Sequence, residues 1–188
     1  MGPNAVLQLL PVLESAGGAE MVSAMLARAG VARVPDGSAM IPEGQAARLH
    51  QVLRAEEPER AAELAAEAGR RTAEYILAHR IPWAVKGLLR ALPPGLAARA
   101  LAGAVSRHAW TFAGSGRFAA VDPWTFEIAD NPIIRGESSA VPLCHWHAVV
   151  FQRLYGALVH RDCRCVETRC GAQGGGLCRF RIWVERSL

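Results

Sequence analysis

Near residue 110 the hydrophobic pattern of this chain changes its period, and that change decides most of what it can become. Upstream, apolar residues recur every three or four positions: Ala61, Leu64, Ala65, Ala68, Thr72, Tyr75, Ile76 and His79 fall on one helical face. Downstream, Cys178, Phe180, Ile182 and Val184 alternate with Arg179, Arg181, Trp183 and Glu185, the two-residue period of a half-buried strand. A chain with the two periods in separate halves buries both by stacking one on the other. The expected class is therefore α+β, an N-terminal helical layer packed on a C-terminal antiparallel sheet.

The spacing predicts helices over residues 5–13, 19–29, 42–56, 58–80, 83–91, 96–108 and 143–158. Gly17-Gly18 parts the first two, and Pro42, Pro58, Pro82 and Pro93-Pro94 punctuate the rest. Residues 31–41 read as a loop or short hairpin. Strands are expected over 107–112, 124–129, 159–168 and 177–185, with Gly174-Gly175-Gly176 tightening the last connection. Residues 1–57 read as a helical extension and 58–188 as the main domain with its leading helices.

Composition removes several classes. Of 188 residues 51% are hydrophobic and 20% charged, a globular balance. No apolar run approaches the roughly 18 residues a membrane span needs. Residues 1–13 have no basic residue ahead of their apolar part, so they do not read as a secretory signal. The sequence pI of 9.1 invites a nucleic-acid reading. However, Lys86 is the one lysine among 21 basic residues, and the arginines form no dense stripe. The expectation is a cytoplasmic protein without nucleic acid as partner.

All five cysteines, at 144, 163, 165, 170 and 178, lie in the last quarter. In a cytoplasmic chain that density points to metal or redox chemistry before disulfides. Cys170 and Cys178 bracket the glycine-rich turn and so meet at a hairpin base, and Cys144, at a helix start, supplies a third sulfur. Zinc takes four such ligands. The fourth is open among Glu167, Cys163, Cys165, His145, His147, Glu127 and Glu137.

Cys144-His145-Trp146, then Glu167-Thr168-Arg169-Cys170, a glycine turn, and Cys178-Arg179-Phe180 resemble the 4-vinyl reductase domain family, whose pattern is a Cys before a helix, E-x-x-C and C-x-F. The segments 75–82 and 110–116 resemble the branch of that family found in bacteriochlorophyll biosynthesis, so the likeness spans residues 58–186. The resemblance implies a ligand-binding α+β fold, usually dimeric, with an apolar pocket between helices and sheet. It implies a structural zinc on Cys144, Cys170 and Cys178, with Glu167 of E-x-x-C beside them, and leaves Cys163 and Cys165 as ordinary thiols. It also implies a tetrapyrrole ligand, pathway enzymes as partners, and a place in the cytoplasm or at the periphery of the photosynthetic membrane.

A vinyl reduction needs a hydride or electron source. Gly114-Ser115-Gly116 is a G-x-G without the remainder of a dinucleotide fingerprint, and neither a nicotinamide nor a flavin site is recognisable. The reading from sequence is accordingly a binding protein that carries or presents a magnesium tetrapyrrole to pathway enzymes. The alternatives are an 8-vinyl (4-vinyl) reductase using an external electron donor on divinyl protochlorophyllide, and a regulatory or assembly subunit. Tyr75, His79, Trp83, His108, Trp110, Phe112 and Trp146 are the expected pocket, with His79 or His108 as axial imidazole and Arg80, Arg90 or Arg107 for the carboxylates.

Overall fold

Two helical segments, a broad helical middle and a small sheet follow one another in the computed structural model, which describes residues 1–185. The last three positions of the expected main domain lie outside the described residues. The helices are α1 (Asn4–Leu7), α2 (Leu10–Arg28), α3 (Glu43–Glu56), α4 (Ala61–His79), α5 (Trp83–Ala91), α6 (Pro94–Arg107), α7 (Trp110–Ala113) and α8 (His145–Leu158). The strands are β1 (Arg117–Asp122), β2 (Thr125–Ala129), β3 (Cys163–Arg169) and β4 (Leu177–Val184), antiparallel throughout in the order β1-β2-β4-β3. The class is α+β, as the change of period requires. The break at Gly17-Gly18 is present inside α2, where Gly18 takes φ 71° and ψ −173°, a region that admits glycine almost alone.

One predicted strand is wrong. Residues 107–112 carry Trp, Thr and Phe, which favour strands, yet α6 runs to Arg107 and α7 follows after two residues. The Thr111 hydroxyl donates to His108 O at 2.7 Å, a helical contact. The strand lies after the turn instead, as β1, where Phe118 pairs in register with Ile128. The strand expected from residue 159 begins at Cys163, because His160–Asp162 form a turn closed by Cys163 N–H donating to His160 O at 3.0 Å.

α8 lies across the inner sheet face. Phe126, Phe151, Phe180 and Tyr155 are essentially fully buried, and their rings pack edge-on at centroid separations of 5.0–5.8 Å. α4 packs on the other side of α8. Their closest approach is at Gly69, where a Cβ would stand 2.5 Å from Trp146 O, so only a glycine lets the backbones come this near. Trp146 locks the crossing by donating Nε1–H to Thr72 Oγ1 at 3.1 Å, and the Thr72 hydroxyl donates in turn to Ala68 O at 2.8 Å. Leu9, Leu13, Leu49 and Leu53 of the first 57 residues belong to the same continuous core as Phe126 and Phe151. Each such side chain contributes roughly 1.5–3 kcal/mol on burial.

Candidate functional site

Four side chains from three distant segments converge beneath the start of α8. Cys144 is the residue before its first turn. Cys178 is the second residue of β4 and faces inward with Phe180. Cys170 opens the short 3-10 turn Gly171–Gln173 that joins β3 to β4. Glu167 follows Cys163 and Cys165 by the strand period, so it shares their inward face, just before the bulge between Glu167 and Arg169. One ligand atom from each of the four lies within 4.8 Å of all the others. Cys144 Sγ and Cys178 Sγ are 3.3 Å apart.

The surroundings supply hydrogen bonds to sulfur and leave one oxygen bare. Asn131 Nδ2 donates to Cys144 Sγ at 3.3 Å and to Cys178 Sγ at 3.7 Å, and Gly171 N–H donates to Cys178 Sγ at 3.5 Å. Glu167 Oε2 accepts the Cys144 N–H at 2.8 Å. Its other oxygen, Oε1, is buried with no partner among the described residues. A buried carboxylate oxygen left so is costly unless a cation or donor meets it.

Protonation follows from the crowding. Burial first, then its two thiol neighbours, push the Cys144 thiol well above the ordinary range. At Cys178 the hydrogen bond with Cys144 lowers the pKa, but that with Cys170 and burial outweigh it and carry the thiol up to about 12. Burial raises Glu167 to about 7. Cys170 goes the other way, because Cys144 and Cys178 both hydrogen-bond to it and favour its thiolate. Two of the three thiols and the carboxyl thus hold negative charge reluctantly until a cation supplies compensation, and this cluster can hold a metal ion.

The other expected residues take different places. Cys163 and Cys165 are buried under β3 outside the cluster. Glu127 pairs with Arg179 and Glu137 with Arg54. His147 is buried against Trp146 and Phe180, and His145 is half-buried. Among the expected pocket residues, Trp146 and Phe112 point into the core, Phe112 against Phe118 and Phe151. Tyr75 and His79 stack at 4.8 Å on the outer part of α4, with Arg80 over the Tyr75 ring. His108, Trp83 and Trp110 are exposed. The seven do not line one cleft, and the space between α8 and the sheet is filled by the chain's own rings.

Two open grooves exist instead. One, of about 510 Å³, runs between α4, α5 and α8, with Leu77, Ala78, Gly156 and Ala157 as floor and Glu74, Lys86, Arg90 and Arg153 at its rim. The other, of about 480 Å³, lies at the strand ends around Trp124 and Trp183. The Gly114-Ser115-Gly116 turn is occupied from within: Ser115 N–H and its hydroxyl donate to Glu43 at 2.6 and 2.7 Å, and Arg135 joins that carboxylate at 3.0 Å.

Sequence reasoning missed His50 and Asn131. His50 Nε2 donates to Ala5 O at 3.0 Å while its Nδ1, like that of His147, is buried without a partner among the described residues. Burial, foremost, depresses His50 to about 3 and His147 to about 4. The Asn131-Pro132 pair signals only a turn. Nothing in its spacing points to sulfur.

The comparisons agree with this architecture. Residues 124–183, the sheet hairpins and α8, match the family model of the 4-vinyl reductase domain, so the class is a protein of that domain type on an α+β fold. The chain is 52% identical over 184 residues to the bacteriochlorophyll synthase 23 kDa chain of Cereibacter sphaeroides, covering 97% of this chain and 89% of that one. It is 44% identical over 182 residues to the protein of the same description from Rhodobacter capsulatus, covering 96% and 85%. The chain belongs to this family of bacteriochlorophyll synthase 23 kDa chains. By shape it is similar to the Fe(II) unliganded H-NOX protein of K. algicida, with TM-score 0.61, 12% identity and coverage of 100% of this chain and 98% of that one. A further structure, described under heme redox potential and protein-induced porphyrin distortion, aligns with TM-score 0.53 at 13% identity, covering 100% of this chain and 97% of that one.

Proposed function

We propose that this protein serves bacteriochlorophyll biosynthesis by binding a magnesium tetrapyrrole intermediate and presenting it to pathway enzymes, on a scaffold tied together by a structural zinc. The observation that carries the reading is the groove between α4, α5 and α8. Its floor is Leu77, Ala78, Gly156 and Ala157, low enough for a flat apolar ring, and its rim holds three cations. Lys86 Nζ and Arg90 Nε each donate to a backbone carbonyl, Leu77 O and Ala157 O, both at 2.9 Å. Lysine has three donors and arginine five, so both retain donors for propionate carboxylates. The description of the relatives gives the pathway, and the heme-related structure of the same fold gives a precedent for a porphyrin ligand. An enclosed site between α8 and the sheet does not fit, since that volume is packed.

Zinc suits the cluster by its donors. A tetrahedral ion with Zn–S near 2.3 Å keeps its sulfurs about 3.8 Å apart, and three thiolates with one carboxylate close the coordination shell. The bare Glu167 Oε1 is the atom such an ion would satisfy. Closed in this way, the ion fastens the start of α8 to the β3–β4 hairpin and takes no part in chemistry.

Titration with magnesium protoporphyrin tests the ligand reading. The expected result is a shifted Soret band that weakens about tenfold or more in Arg90→Glu and in Ala157→Trp. An unchanged spectrum, or a shift indifferent to both variants, overturns it. Conversion of divinyl protochlorophyllide to monovinyl product with an added electron donor would assign the reductase instead. Elemental analysis is expected to give one zinc per chain.

A further inference from the structure

From residue 75 to residue 121 the chain has no acidic residue, yet it carries Arg80, Lys86, Arg90, Arg99, Arg107 and Arg117. The same stretch supplies Trp83, Val85, Leu88, Leu96, Trp110 and Val121, six of the eleven large hydrophobic side chains that stand exposed among the described residues. Exposure is extreme from α5 to α7: 83% for Trp83, 63% for Leu88, 55% for Leu96 and 56% for Trp110. Isolated exposed apolar residues are ordinary, but a run of them on adjacent helices is not.

The arrangement within α5 is ordered. Leu89 faces the core, while Lys86 and Arg90 reach back to carbonyls of α4 and α8. Trp83, Ala84, Gly87, Leu88 and Ala91 share the remaining side by helical spacing, all exposed and all uncharged. α6, packed against α5, shows Leu96, Arg99, Ala100 and Arg107 to solvent. An apolar helix face bordered by cations, with tryptophan and leucine at its tip, is the composition of a segment that lies in a lipid interface.

The geometry points to a membrane-docking surface on α5 and α6, which seats Trp83 and Leu88 among the acyl chains of an anionic bilayer while Arg99 and Arg107 meet its headgroups. A second copy is a poor occupant. A two-fold interface would set this patch against itself, bringing its cations together with no carboxylate from this stretch to meet them. The nearest acid in the chain, Glu74, is engaged by Arg70 at 2.5 Å and Arg153 at 3.7 Å. The inference is independent of any pigment, since the outward face of α5 is not the groove.

Flotation of the full chain with vesicles tests it, using phosphatidylcholine alone and phosphatidylcholine with phosphatidylglycerol. Binding to the anionic vesicles is expected to be at least about tenfold tighter and to weaken with salt. Leu88→Ser with Leu96→Ser, and separately Arg99→Glu with Arg107→Glu, should each lower it about tenfold or more. Brominated acyl chains should quench tryptophan emission in the bound protein, and Trp83→Phe should remove part of that quenching while the protein still floats. No flotation on anionic vesicles, or flotation indifferent to both paired variants, overturns the assignment. Capture by polyglutamate without vesicle binding would give the surface to an acidic protein and overturn it equally.

Discussion

The sulfur cluster and the α5–α6 surface are built in opposite ways. The cluster draws on positions 144, 167, 170 and 178, is walled in by Asn131 and the backbone of Gly171, and is buried. The surface comes from one contiguous stretch and is almost wholly exposed. Residues of the first kind hold the fold and are intolerant of change. Residues of the second kind add little to stability, so a conspicuous composition there has to be explained by what they touch.

That contrast can be broken by experiment. The largest effect is expected for Cys178→Ser, which removes a ligand and leaves the cluster's charge uncompensated. It should lose the metal and more than about 4 kcal/mol of stability, read by elemental analysis and denaturant unfolding. Acid comes next. His50 and His147 are buried at 1% exposure and titrate near 3 and 4 when folded, against about 6.5 when unfolded. Above pH 6.5 neither state binds the proton and stability is unaffected. Below it the unfolded chain takes up protons that the folded chain refuses, so stability falls as pH falls, by up to about 1.4 kcal/mol per pH unit for each ring, until the folded values are reached. His50→Gln should flatten that fall in a series of melts between about pH 6.5 and 4.

Asn131→Ala removes both side-chain donors to sulfur and should weaken metal binding about 10- to 100-fold in a chelator competition. Gly69→Ala should cost about 1–3 kcal/mol, since the added methyl meets the Trp146 backbone. In an open helix the same change would stabilise slightly, so the sign of the shift in Tm tests the close crossing. Smallest of all, Leu88→Ser should change stability by less than about 0.5 kcal/mol. A loss of several kcal/mol there would show that α5 is part of the scaffold.

Local chemistry was legible in the sequence, and long-range partnership was not. Helices with a clear stripe, such as α4 and α8, and the alternating strand β4 follow directly from period. β1 was hidden because its outer positions Ala119 and Val121 are apolar too, so Phe118 and Ala120 show no alternation, while Trp110 and Phe112 mimic a strand that tertiary packing makes into a helical turn. Cys144, Glu167, Cys170 and Cys178 stand out by residue type. His50 does not, because its burial depends on the carbonyl of Ala5, 45 residues away in the chain. Trp83 and Trp110 read as pocket walls because aromatic residues usually line something, and exposure cannot be counted from a string.

Arg54 of α3 carries one more implication. Its guanidinium bonds Ile133 O at 2.7 Å and pairs with Glu137, and Gln51 beside it bonds Arg135 O at 3.1 Å. The loop so held is the one that presents Asn131 to the sulfurs. Any graft of residues 124–183 into another host would therefore arrive without its clasp, and the smallest portable piece of this protein begins at least as early as Glu43.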